Sequence, residues 1–111
     1  MIPPTFENYR LIAQYYYHLK RDIYFECHHN FSYNDVHHIL DVAASVMMSR
    51  DGIMIGGGFV EAITHNDLMG AFDRADAVMV KSIRFMVYIY RNGILRSDSP
   101  IFEKVETKPL L

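Results

Sequence analysis

Apolar residues recur along this chain at spacings of three and four, the period of amphipathic helices. Pro3 and Pro4 precede Thr5, which can cap a helix, and Glu7 falls in the first turn, where the helix dipole favours an anion. Tyr9, Ile12, Tyr16 and Leu19 then mark one face. This first helix either stops near Arg21 or runs on towards His28. Ile23-Tyr24-Phe25-Glu26-Cys27 also carries strand propensity, so one short β element stays open there. A second helix begins at the capping-box pair Ser32 and Asp35. It turns Val36, Ile39, Leu40, Ala43 and Met47 to one side, with Asp35, His38 and Asp41 on the other, and ends by Arg50 ahead of the turn signal Asp51-Gly52.

Gly56-Gly57-Gly58 cannot lie inside a stable helix and predicts a loop. A third helix is expected from Gly58 or Phe59 to about Arg74, with Ala75-Asp76 as a join or a bend. A fourth covers roughly Ala77 to Tyr90, with Met79, Ile83, Met86, Val87 and Tyr90 on one face and Asn92-Gly93 as its C-cap. Val78, Phe85 and Ile89 add a second apolar stripe beside the first. Left exposed, that stripe marks association, so a homo-oligomer is expected, with the fourth helix or the tail in the interface. From Ile94 onward there is no sustained period. Ile101, Phe102, Val105, Leu110 and Leu111 make this an apolar, extended C-terminal arm that packs on the body or on a neighbouring subunit. The fold class that follows is all-α, a single helical domain over residues 1–111, with three to four helices and the arm.

Composition narrows the function. The chain has 111 residues, one domain's worth, with 50% apolar and 22% charged residues, which is ordinary globular chemistry. The net charge of −2 gives no footprint for non-specific nucleic-acid binding or for an anionic membrane. No stretch approaches the roughly 18 apolar residues of a membrane span. Met1 to Glu7 shows no basic run followed by an apolar one, so no signal peptide is expected. A single cysteine, Cys27, fits a reducing cytoplasm.

Candidate chemistry is sparse. Cys27, His28, His29, His37 and His38 are five potential metal ligands, but their spacing matches no structural zinc framework. A metal-assisted hydrolase built on them is the alternative to a non-enzymatic protein. No nucleophile elbow, Walker loop or dinucleotide fingerprint occurs. Tyr15, Tyr16 and Tyr17 could offer stacking platforms for a base, though three adjacent helical residues spread over about 200°, and core or interface tyrosines explain them better. The glycine loop is the stronger signal. It feeds a helix start, where unpaired N–H groups favour an anion. Wound as one helix, residues 59–74 place Phe59, Ile63, Asn66, Asp67, Gly70, Asp73 and Arg74 within an arc of about 120°, opposite a core stripe of Leu68, Ala71, Phe72 and Ala75. Arg50 and Arg74 are the nearby cations.

The run from Gly57 to Asp76, read as G-G-F-x-x-A-x-x-x-N-D-L-x-x-A-x-x-R-A-D with Gly70 inside it, resembles a pattern in small, mostly uncharacterised bacteriophage and prophage proteins. Tyr88-Ile89-Tyr90-Arg91-Asn92 resembles the aromatic-rich end of the helix that follows it in those proteins. The resemblance implies a helical hairpin and a phage accessory setting in the host cytoplasm, and it singles out Gly57, Gly58, Phe59, Asn66, Asp67, Arg74 and Asp76. Together with Arg50 these are the candidate ligand-binding residues. The expected function is a non-enzymatic protein without a cofactor, binding and sequestering a small anionic, nucleotide-like ligand or a host protein, with counter-defence as a possible purpose. A structural phage assembly component is a further alternative.

Overall fold

Thr5 starts the first helix, α1 (Phe6–Tyr24), by accepting the Asn8 N–H on its Oγ1 at 3.2 Å. The computed structural model describes residues 2–95; the C-terminal arm, with its expected packing, lies outside them. α1 buries Tyr9, Ile12, Ala13 and Tyr17, while Leu19, expected on the same face, stands exposed. The helical alternative holds for Ile23 and Tyr24, and no strand occurs among the described residues. Phe25, the C-cap, turns under the helix end and is buried against Tyr17, Phe31 and Phe85, with ring centroids 5.3–5.5 Å apart. Burying that ring offers more than an unpaired strand could, since a lone strand leaves its backbone groups unsatisfied.

A single 3₁₀ turn (His28–Asn30) leads to α2 (Tyr33–Arg50), where the Ser32–Asp35 capping box is formed in both directions at 3.0 and 3.1 Å. α2 is the central element, packed against α1, α5 and α3. Ile39, Leu40, Ala43, Ala44, Val46 and Met47 are fully enclosed by those neighbours. α5 (Ala77–Asn92) lies across α1 and α2 and buries Met79, Ser82, Ile83, Phe85, Met86 and Ile89.

Three sequence expectations are corrected here. The predicted third helix is two: α3 (Gly58–Thr64) and α4 (Leu68–Arg74), which makes five α-helices among the described residues. Asn66 breaks it with φ of 58°, the left-handed region that asparagine tolerates. Its N–H bonds the Ile63 carbonyl at 3.2 Å and the Asp67 N–H bonds the Ala62 carbonyl at 2.8 Å, the paired bonds of a Schellman motif. The 120° arc therefore does not exist. Second, Leu68 and Phe72 are exposed, and only Ala71 and half-buried Ala75 keep any of the expected core stripe. Third, Phe85 and Ile89 are 0% exposed, so the stripe expected to drive oligomerisation is core. α5 is covered from two sides, by α1 and by α2, which demands a wider apolar arc than a helix resting on one neighbour.

Candidate functional site

The eight candidate residues fall mostly at helix ends. Gly57 is the N-cap of α3. Its φ of −71° is open to any residue, and a Cβ there would meet nothing within 4 Å, so it holds no positive-φ geometry. The glycine with φ of 75° is Gly52, and Gly56, just before Gly57, has no room for a side chain because its Cβ would run into Val60. Asp67 closes the Schellman motif of α3 and at once caps α4, its Oδ1 accepting the Gly70 N–H at 2.9 Å. Asp76 caps α5 by accepting the Val78 and Met79 N–H groups at 3.0 and 2.8 Å. Those backbone donors, the Met79 N–H first, and the His38 ring at 3.1 Å outweigh desolvation and hold the Asp76 carboxyl below the usual carboxylate range. The N-D and A-D steps of the motif are thus helix punctuation.

Arg74 lies across the start of α3, its Cδ 2.7 Å from where a Gly58 Cβ would stand, and donates to the Gly70 carbonyl at 3.3 Å. Gly58 and Gly70 are small because this arginine and the Asp67 carboxylate pass over them. Phe59 is half-buried and joins the main core to the small cluster of Ala62, Ala71 and Ile83.

Arg50 is fully engaged. It forks onto Asp51 through Nε and Nη2 at 2.7 and 3.0 Å, and its Nη1 donates to the Tyr90 carbonyl at 2.9 Å near the end of α5. Asp51 also accepts the Tyr9 hydroxyl at 2.7 Å, so α1, α2 and α5 meet in one polar network. Burial, then the Asp51 carboxylate, pushes the Tyr9 phenol up to about 12. Desolvation raises the Asp51 pKa, but hydrogen bonds from Arg50 and Tyr9 and the guanidinium charge prevail and lower it.

These residues are not brought into one pocket. Arg50 lines an open cleft of about 570 Å³ with Glu61, Thr64, His65 and Tyr90. Gly58, Asp67 and Arg74 line a neighbouring depression of about 230 Å³, which shares Glu61 and His65 with it. Asn66 faces a third, with Ile63, Val87 and Arg91. The seven-residue α3 is too short for a strong dipole at its start, and Arg74 already covers that end.

The histidine cluster is dispersed. The His28 and His29 rings lie tilted against each other, centroids 3.9 Å apart, and His28 pairs with Asp22 at 2.7 Å. His37 meets Arg10 and the Tyr33 ring, and His38 meets Asp76. Among the described residues no three His, Cys, Asp or Glu side chains are grouped to hold a metal ion.

A surface missed in the sequence lies on α4. This helix buries its smallest residues, Gly70 and Ala71, and exposes its largest: Leu68 at 59%, Met69 at 85% and Phe72 at 50%. Leu68 flanks a shallow groove floored by Ala71 and Ile83 and edged on α5 by half-exposed Val87. The Leu68–Phe72 spacing of four was visible in the sequence, but the continuous-helix reading turned it inward. No protein-family model matches this chain, and neither a curated relative nor a similar solved structure was found. Among the described residues no helix is long and apolar enough to cross a membrane.

Proposed function

We propose that this is a non-enzymatic binding protein that works as a homo-oligomer, with the α4 face as the contact between copies. The inverted amphipathicity of α4 carries the reading. A helix selected only for packing turns its large apolar residues inward; α4 does the opposite with Leu68, Met69 and Phe72. Two such faces match each other across a two-fold axis without needing charge complementarity, because burial of apolar surface is non-directional.

The resemblance of the Gly57–Asp76 run to phage proteins supplies the setting: a cytoplasmic accessory protein that sequesters a nucleotide-like anion or a host protein. Against the hydrolase alternative stands the scatter of the histidines over separate neighbours. Sedimentation at micromolar concentration tests the association. The expected species is a multiple of the 13.0 kDa chain, reduced to a single chain by Leu68→Glu with Phe72→Glu. A wild-type protein that sediments only as a single chain overturns the reading.

A further inference from the structure

Charge is sorted within this molecule in a way that its sum of −2 conceals. α5 carries Lys81, Arg84 and Arg91 and no acidic residue over its whole length. Lys81, Arg84, Tyr88 and Arg91 follow at spacings of three, four and three, so they share one edge of the helix, about 15 Å long. That edge runs beside α1, where Tyr16, Lys20 and Tyr24 repeat every four residues. The two rows touch: the Tyr88 ring lies 5.5 Å from Tyr16 and 5.4 Å from Tyr24, centroid to centroid. Lys20 Nζ sits 5.6 Å over Tyr88, and the Arg84 guanidinium 5.2 Å over Tyr24. The three tyrosines are half-buried, Lys81 and Arg84 are exposed, and none of the cations of this seam forms an ion pair among the described residues.

We propose that the α1–α5 seam binds a short stretch of single-stranded nucleic acid, with bases against Tyr16, Tyr24 and Tyr88 and phosphates on Lys20, Lys81 and Arg84. Aromatic rings interleaved with cations are what a base and a phosphate recognise together. A nucleotide supplies at once an anion for the cations of the seam and a further flat aromatic partner for its tyrosine rings. An acidic peptide supplies only the first, and a duplex keeps its bases stacked out of reach. Exposed charges act over about 8 Å at physiological salt, so the local balance at the seam decides the encounter rather than the sum over the chain; of the carboxylates next to it in sequence, Asp22 is engaged by His28 at 2.7 Å. This narrows the expectation of no non-specific nucleic-acid binding, which rested on net charge. It stands apart from the α4 association, since α4 contributes no residue to it.

The test is fluorescence anisotropy of a labelled oligothymidylate with the full chain, at low and physiological salt. Saturable binding is expected, weakened roughly tenfold or more by Lys81→Glu with Arg84→Glu at unchanged thermal midpoint. Tyr88→Leu should weaken it about tenfold, while Tyr88→Phe, which keeps the ring, should not. Absence of binding at low salt overturns the proposal, as does binding indifferent to the charge reversals. Equal affinity for polyglutamate, with Tyr88→Leu silent, also overturns it and assigns the surface to an acidic protein.

Discussion

Tyr9, Asp51 and Arg50 tie the ends of three helices through three charge-assisted contacts: the Tyr9 hydroxyl on Asp51, the Arg50 fork on the same carboxylate, and Arg50 Nη1 on the Tyr90 carbonyl. Removing the Tyr9 hydroxyl leaves the Asp51 carboxylate short of a donor, so Tyr9→Phe should lower stability by roughly 1.5–3 kcal/mol in urea unfolding. The pH dependence has a definite sign. The folded Tyr9 phenol titrates at about 12 against 10.0 in the unfolded chain. Its contribution is fully present below pH 10.0 and is lost as pH rises through about 12. Tyr9→Phe should remove that part of the alkaline transition. The glycines separate just as clearly. Gly56→Ser should lower the thermal midpoint because its Cβ meets Val60, whereas Gly57→Ser should leave it unchanged or raise it slightly by adding a capping hydroxyl to α3.

At the scale of elements, the α3–α4 corner depends on one left-handed residue followed by one cap. Asn66→Gly should be neutral or stabilising, because glycine takes positive φ freely. Asn66→Ile should cost about 1–2 kcal/mol, since a β-branched residue meets its own backbone there. Asp67→Ala should cost about 1 kcal/mol through the lost cap of α4. Denaturant midpoints of the three variants check the set. All three substitutions leave the hydrophobic core untouched, so any large loss would mean that this corner helps hold the small cluster of Ala62, Ala71 and Ile83 together.

At the scale of the whole molecule, the groups with lowered folded pKa values among the described residues are His18, Asp51 and Asp76. His18 is lowered first by burial and then by Arg21. A lowered folded pKa stabilises above the unfolded value and loses that contribution as pH falls through the folded one. Acid unfolding should therefore begin gently below 6.5, where the unfolded chain's histidine takes up its proton. It should steepen below 3.8, where the unfolded chain's Asp51 and Asp76 take up protons that the folded carboxylates still resist. Circular dichroism against pH, with Asp51→Asn removing part of the steep limb, checks the order.

The sequence alone determined what depends on neighbours a few residues away. Thr5, the Ser32–Asp35 box and the Asp51-Gly52 turn are local hydrogen-bond chemistry, legible from residue type and spacing, and so was the all-α class. Tertiary structure decided whatever depends on what an element packs against. Phe85 and Ile89 looked like surplus until α1 and α2 enclosed α5 from two sides. Asn66-Asp67 has the residue chemistry of a break, since asparagine suits a left-handed C-cap and aspartate an N-cap, but a reading by apolar period runs one helix straight through it. Once α4 is a separate short helix, its orientation follows from close approach: only Gly70 and Ala71 are small enough to lie against the body, with Arg74 and Asp67 passing over Gly70. Leu68, Met69 and Phe72 are left outside. Periodicity records which residues share a side of a helix, and the direction of that side is set by sterics between segments.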